Sequence, residues 1–280
     1  MAPEHLPTPS PQWRPLLDLP SPSDVQPVVS VVVSLYNYGH CILDTLSTVA
    51  AQSLEAIELV VVDDASTDEG APIVEAWLRA HSRRFAGVRL LQHVLNGGLA
   101  AARNTGFAQT EASWVWVQDA DNPLAPRALE QCHRLAERVE AQVAVIHPLL
   151  LTMPAGSSPQ VFQGEGRPWQ KAIFEPANAV DAMALVRRKA WEEVGGYVHI
   201  PGGWEDYDFW CSLMDAGWTG VQCPQPLGTY THHMGSMTAL SALPNVRRLE
   251  QLLQARHPWL RCAGRTTGIS QYIGVDPLNS

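Results

Sequence analysis

The chain has 280 residues, with 19 Lys+Arg against 28 Asp+Glu and a formal net charge of −9, a length that suits one large domain or two small ones. Apolar residues make up 46% and charged residues 17%, which excludes a disordered or low-complexity chain. The acidic balance argues against broad binding to nucleic acid or to an anionic membrane surface, since both need a basic patch to displace counterions.

No apolar run reaches the ~18 residues that span a bilayer, and the N-terminal residues lack the basic and apolar regions of a signal peptide. The expectation is a soluble, cytoplasmic protein, with peripheral docking on a membrane left open. Five cysteines, Cys41, Cys132, Cys211, Cys223 and Cys262, are odd in number and never spaced as CxxC. That spacing argues against a disulfide framework or a cysteine zinc site and fits a reducing compartment.

In chain order, residues 1–26 carry Pro3, Pro7, Pro9, Pro11, Pro15, Pro20 and Pro22, a density that predicts an extended arm without helix or sheet ladders. Val28–Leu35 is an almost unbroken β-branched run, as expected of a strand buried on both faces. Helical spacing follows in Ile42, Leu46, Val49 and Ala50. Strands are then predicted at Ile57–Val62, Val88–His93, Trp114–Gln118 and Val143–Leu151. Helices alternate with them at Pro72–Ala80, Gly98–Gln109 and Pro126–Val139. This alternation predicts βαβ units, an α/β class and a mostly parallel sheet flanked by helices. Ligands of such sheets sit at the carboxyl ends of the strands. Beyond Thr152 the pattern loosens into loops, with helices predicted at Val186–Val194, around Tyr207–Ala216 and at Pro244–Arg256.

The chemistry-bearing residues follow those strand ends. Asp63-Asp64-Ala65-Ser66-Thr67-Asp68 closes the second strand, where acids either meet a ligand or cap orphan N–H groups. Asp119-Ala120-Asp121 closes the fourth, a pair of hard oxygen ligands suited to Mg²⁺ or Mn²⁺. Asn96-Gly97-Gly98 opens a small-residue helix whose N-terminus can approach a ligand closely, with Arg103 one turn later. Alternatively, that helix packs tightly on the sheet through its alanines. Gly202-Gly203-Trp204-Glu205-Asp206-Tyr207-Asp208 places acids among aromatics after a glycine pair. A partly desolvated carboxylate there suits a general base, while the bland alternative is an amphipathic helix with solvated acids. The paired His232 and His233 lie in a loop, and an imidazole there can complete a mixed N/O divalent site. The basic run Arg187-Arg188-Lys189 reads first as a solvated helix end and second as a phosphate contact.

Taken together in this order, the strand Val28–Val33 with Ser34-Leu35-Tyr36-Asn37, then Asp63–Asp68, Asn96…Arg103-Asn104…Gly106, Asp119-Ala120-Asp121, Glu205-Asp206 and His233…Ser236 resemble the family 2 inverting glycosyltransferases of GT-A fold. The resemblance runs from about 28 to 238. It implies a Rossmann-like GT-A domain over 27–240, with a nucleotide-sugar half (27–125), an acceptor half (126–240) and a C-terminal helix and tail (241–280). It implies that Ser34, Tyr36 and Asp64 hold the nucleotide base, that Arg103 helps hold the nucleotide, and that Asp119 contacts the ribose. Asp121 and His233 would ligate Mn²⁺ or Mg²⁺, with His233 preferred over His232. Asp206 would be the catalytic base, and Trp204 and Glu205 would line the acceptor pocket. The implied reaction moves a sugar from a nucleoside-diphosphate sugar, UDP-linked as the first expectation, to a saccharide, lipid-linked or other hydroxyl acceptor. The chain lacks the QxxRW segment of the family's processive synthases, which favours single transfers. A non-catalytic module that binds a sugar nucleotide or a protein partner is the alternative, and it would have no need of Asp206. A nicotinamide-dependent dehydrogenase would instead need GxGxxG after the first strand, where this chain reads Ser34-Leu35-Tyr36-Asn37-Tyr38-Gly39-His40.

Overall fold

The computed structural model describes residues 10–20, 25–153, 160–161, 168–231 and 237–262. Within them the chain runs β1 (Trp13–Pro20), β2 (Val29–Leu35), α1 (Ile42–Ala50), β3 (Ile57–Asp63), α2 (Gly70–His81), β4 (Gly87–His93), α3 (Leu99–Ala108) and β5 (Trp114–Asp119). It continues through α4 (Ala128–Ala136), β6 (Val143–Met153), β7 (Gln160–Val161), β8 (Leu185–Arg187), α5 (Arg188–Glu193), α6 (Glu205–Asp215), β9 (Thr219–Thr231) and α7 (Val246–Arg256). The strands form one sheet in the order β1-β4-β3-β2-β5-β8-β6-β7, with β9 alongside β6.

The centre of the sheet is parallel, β4 to β3 to β2 to β5. β1 pairs antiparallel with β4 at one side, and β8 pairs antiparallel with both β5 and β6 at the other. Alternating side chains of the central strands feed two cores. Val29, Val31, Val33 and Leu35 pack with Ile42, Leu46, Val74, Leu78 and Leu129 from α1, α2 and α4. Val32, Val60 and Val62 meet Ala100, Ala102 and Phe107 of α3 in a second core that also holds Tyr207, Phe209, Leu249 and Leu253 of α6 and α7. The β-branched run therefore reads as continuous because both its faces are covered. The three-layer arrangement also explains why α3 is built of small residues. A Cβ on its Gly106 would meet Val32 Cγ1 at 2.3 Å.

Two local expectations need correction. The proline-rich arm contains β1, and it does so because β1 is an edge strand. A residue without an N–H costs nothing on the open side, and the pairing with β4 shifts register between Pro15 and Leu17, the kind of irregularity at which sheets accept proline. The helix predicted at Val186–Val194 begins only at Arg188. Leu185–Arg187 is instead the strand between β5 and β6, too short to show a period of its own. The strand β9, with Pro224 and Pro226 inside it, falls where the sequence pattern loosens. Among the described residues no helix is long and apolar enough to cross a membrane.

Candidate active site

Parallel pairing brings the carboxyl ends of β2, β3 and β5 to one edge, with Leu35 opposite Asp63 and Ser34 opposite Asp119. The loops that leave β2 and β3 are stapled to each other. Asn37 donates its backbone N–H to Ser66 Oγ (3.0 Å) and accepts the Thr67 N–H at Oδ1 (2.8 Å). Asp68 Oδ2 accepts the Gly39 N–H at 2.8 Å. A Cβ on Gly39 would lie 2.9 Å from the Gly70 backbone, so this crossing requires glycine. Asn37 and Ala65 take left-handed conformations with φ of 58° and 59°, strain of the kind that folds tolerate at functional loops. Ser66, Thr67 and Asp68 thus shape the rim.

Asp64 is buried and turned toward α3. Its Oδ1 accepts the Gly97 N–H (2.8 Å) and lies 2.6 Å from His93 Nδ1, while Oδ2 accepts the Gly98 N–H (2.8 Å). The glycine-rich N-terminus of α3 was expected to approach a ligand. The two N–H groups that lead into it, those of Gly97 and Gly98, are taken by the chain's own Asp64. Ser34 differs. Its Oγ is buried and has no hydrogen-bond partner among the described residues, an unmet group of the sort that a ligand can satisfy. Tyr36 stands beside it, 45% exposed.

At the end of β5 the charges converge. Arg103 of α3 is only 3% exposed; its Nη2 lies 3.2 Å from Asp119 Oδ1, and its guanidinium carbon sits 5.3 Å from the centroid of the Tyr197 ring. Burial works against the charged guanidinium, but Asp119, Tyr197, Asp206 and Glu205 hold its pKa above the usual value. Burial also pushes Asp119 up, Asp121 and Asp206 add to the rise, and Arg103 opposes it. Asp121 shares a hydrogen bond with the Tyr38 hydroxyl, whose pKa burial and Asp121 together push up to about 12.

The third group comes from α6. Gly202, Gly203 and Trp204 lead into it with φ of 110°, 108° and 72°, a path that favours glycine at the first two positions. Glu205, Asp206 and Asp208 occupy the first turn, where the helix dipole favours acids. The helix ends at Gly217, with the Trp218 N–H donating to Leu213 O (2.9 Å) and the Gly217 N–H to Met214 O (3.1 Å), the paired bonds of a Schellman turn. Asp206 Oδ2 accepts from Asn178 Nδ2 at 3.0 Å. Burial raises the Asp206 pKa, while Arg103, backbone N–H groups of its own turn and Asn178 pull it down. Burial pushes Glu205 up to about 7, Arg103 opposing. Trp204 is half-buried, its ring 5.7 Å from that of Tyr207.

The structure thus joins Arg103, Asp119, Glu205 and Asp206 in one electrostatic group, with Asp121 next to Asp119. Ser34 lies on the neighbouring strand end. Sequence reasoning missed Asn178, Asp181, Tyr38 and Tyr197. Asp181 is pushed up to about 8 by burial and by Asp119 and Asp206, and its Oδ1 accepts the Met183 N–H at 2.8 Å. Asn178 and Asp181 sit in an irregular segment before β8, where no periodicity points to them. His232, His233 and Ser236 lie outside the described residues. The basic run is at the opposite end of the sheet. Arg187, in β8, stacks on Trp114 (4.4 Å) and donates to Val143 O, and Arg188 donates to Thr110 O, so these two are packed rather than solvated. Lys189, paired with Glu193, alone fits the solvated helix end.

Among the described residues no three His, Cys, Asp or Glu side chains gather into a metal cluster. Mg²⁺ and Mn²⁺ commonly need only one or two protein carboxylates, the rest of the shell being phosphate and water. Asp121, two residues past Asp119 at the end of β5, offers carboxylate oxygens that fit that requirement in donor chemistry.

Residues 30–195 match the model of the family described as "Glycosyl transferase family 2". The chain belongs to that family. Among curated relatives, the poly(ribitol-phosphate) beta-N-acetylglucosaminyltransferase TarP of Staphylococcus aureus is 29% identical over 158 residues, 55% of this chain and 43% of TarP. The glycosyltransferase GlyG of Streptococcus pneumoniae is 28% identical over 118 residues, 42% of this chain and 38% of GlyG. In both cases the match spans less than half of the relative. Among solved structures, S. aureus TarS residues 1–349 in complex with UDP-GlcNAc superposes with a TM-score of 0.65 at 20% identity, covering 80% of this chain and 66% of that one. The mannosyltransferase PcManGT of Pyrobaculum calidifontis, in complex with GDP-Man and Mn²⁺, gives 0.58 at 18% identity, covering 86% and 73%. The family 2 chain described here accordingly has the GT-A fold.

Proposed function

We propose that this family 2 chain transfers a sugar from a nucleoside-diphosphate sugar to an acceptor hydroxyl by a single inverting displacement, with Asp206 as the general base. The observation that carries the reading is the placement of Asp206 and Asp119 about one buried guanidinium, that of Arg103, at the carboxyl edge of the sheet, where α/β folds bind ligands. TarS and PcManGT, the structural neighbours, hold a UDP-sugar and a GDP-sugar, which supports a nucleotide-sugar donor. UDP remains the first expectation, since polar groups such as the unmet Ser34 hydroxyl and the Asp64 carboxyl would suit uracil.

In this reading 27–125 hold the donor and 126–240 the acceptor. Asp119 meets the ribose and Arg103 steadies Asp119. Asp64, engaged with Gly97 and Gly98, has lone-pair capacity left for the base. Asp121, with His233, would hold Mn²⁺ or Mg²⁺. When bound, the cation offsets the negative charge gathering on the departing diphosphate. Asp206 accepts the proton of the acceptor hydroxyl as its oxygen forms the new bond to the anomeric carbon and the bond to the diphosphate breaks on the opposite face. Asn178 holds the carboxylate in place, and burial raises its affinity for that proton. Trp204 and Glu205 border the acceptor.

The test compares wild type with Asp206→Asn, measuring nucleotide-sugar binding by calorimetry with Mn²⁺ and turnover by release of nucleoside diphosphate. The reading expects unchanged donor affinity and a turnover loss of about 10²–10⁴-fold, the range associated with a positioned base. An Asp206→Asn protein that turns over at the wild-type rate contradicts it.

A further inference from the structure

The family match ends at 195, yet the chain goes on to build two grips on the segment that carries Asp206. At the first, a Cβ on Gly202 would meet Leu249 Cδ2 at 3.6 Å and one on Gly203 would meet Ala242 Cβ at 3.6 Å, so the residues before and within α7 pack on the glycine pair that leads into α6. The second grip is polar. Asp208 is 1% exposed, and its carboxylate receives both arms of Arg256, Nε to Oδ1 at 2.5 Å and Nη2 to Oδ2 at 3.0 Å. His257 Nε2 lies 3.0 Å from Asp208 Oδ1, and its Nδ1 lies 2.7 Å from Asp215 Oδ2. Trp259 Nε1 donates to Asp215 Oδ1 at 2.6 Å. One end of α7 is thereby tied to both the first and the last turn of α6.

The helix geometry gives this clamp a direction. Residues two apart on an α-helix point roughly 200° from each other. Asp208 faces α7 while Asp206, in the same turn, faces Arg103 and Asn178. A hold on Asp208 therefore fixes the turn from behind without touching the reacting groups. Bidentate arginine pairs fix orientation as well as distance, which a single hydrogen bond to this turn would not do. Trp204, just ahead of the turn, takes a left-handed conformation, which persists only when its surroundings hold it.

We infer that Arg256 and His257 are positioning residues, which set the place of Asp206 by clamping the first turn of α6 through Asp208. The inference rests on the reading of Asp206 as the base, but half of its test does not.

Arg256→Gln, His257→Gln and the milder Arg256→Lys are compared with wild type by donor binding, kcat and KM, and by amide hydrogen exchange. Expected for Arg256→Gln and His257→Gln are unchanged nucleoside-diphosphate affinity and a kcat lowered about 10- to 100-fold, the loss that follows a misplacement of around an ångström. Exchange should quicken at 205–209 while β2, β3 and β5 stay protected, and Arg256→Lys should recover part of kcat. An unchanged kcat in variants that only melt earlier overturns the inference, as does exchange that quickens evenly through the sheet. Asp206→Asn serves as the control. If it turns over normally the base reading falls, and exchange at 205–209 still decides whether α7 holds α6.

Discussion

Arg103, itself buried, pairs with the part-exposed Asp119, Nη2 to Oδ1 at 3.2 Å, and so joins α3 to the end of β5 beneath the candidate site. Arg103 opposes the raised pKa values of Asp119, Glu205 and Asp206 alike. Removing the guanidinium takes away the opposing charge of three neighbouring carboxyl groups, of which Glu205 is buried and Asp119 part-exposed. Arg103→Met should cost on the order of 1–3 kcal/mol of folding stability at pH 7, measured by urea denaturation. Arg103→Lys should cost less. Because acid protonates the stranded carboxylates, the deficit of Arg103→Met should shrink as pH falls. A deficit that stays level with pH would mean that packing, not charge, carries the loss.

Asn178 gives a sharper test of the base. Its amide donates to Asp206 Oδ2 and favours the ionised form. Without it the Asp206 pKa rises further. Asn178→Ala should therefore move the acid limb of the kcat/KM profile to higher pH while much of the rate on the alkaline plateau remains. A limb that stays in place would separate Asn178 from the titrating group.

Much of this was legible beforehand, and for a physical reason. Val29–Leu35 and Ile57–Asp63 are buried on both faces, so a continuous apolar run marks each strand without ambiguity, and the acids that end them stand out against it. β1 was hidden because an edge strand tolerates the prolines that elsewhere forbid pairing. β8 and β9 were hidden by shortness in one case and by internal prolines in the other. Of the candidate site residues, Asp64, Asp119 and Asp121 stand out at the ends of strands, Arg103 after the glycine-rich start of α3 and Asp206 in one acidic aromatic turn, whereas Ser34 is singled out only by the family resemblance. The turning of Asp64 toward Gly97 and Gly98 could not, since a carboxylate capping a neighbouring helix and one awaiting a ligand have the same sequence. Asn178 and Asp181 reach the site from an irregular segment, where only the tertiary fold brings them near Asp206.

The contact between α6 and α7 predicts its own pH window. His257 faces Asp208, Asp215 and Arg256. Burial works against its charged form, but the two carboxylates hold its pKa above the ordinary 6.5. Its contribution to stability is thus full below 6.5 and is lost as pH rises through the folded value. Asp208, pushed up by burial but pulled lower by His257 and Arg256, ends below its ordinary 3.8. Its contribution is present above 3.8 and is lost as pH falls through the folded value. The difference in Tm between wild type and His257→Gln should be widest between about 4 and 6.5 and narrow on the alkaline side. A gap that widens with rising pH would contradict the assignment of charge.

The central claim is a nucleoside diphosphate held with a divalent cation at the carboxyl edge of the sheet, and titration calorimetry tests it most directly. UDP, GDP and dTDP are each titrated into wild type and Asp121→Ala, with and without Mn²⁺. The account predicts that one nucleotide, UDP first, binds wild type with an affinity that rises when Mn²⁺ is present, and that Asp121→Ala loses this rise while remaining folded. Absence of binding by all three nucleotides, or binding with the same Mn²⁺ dependence in Asp121→Ala, would contradict it.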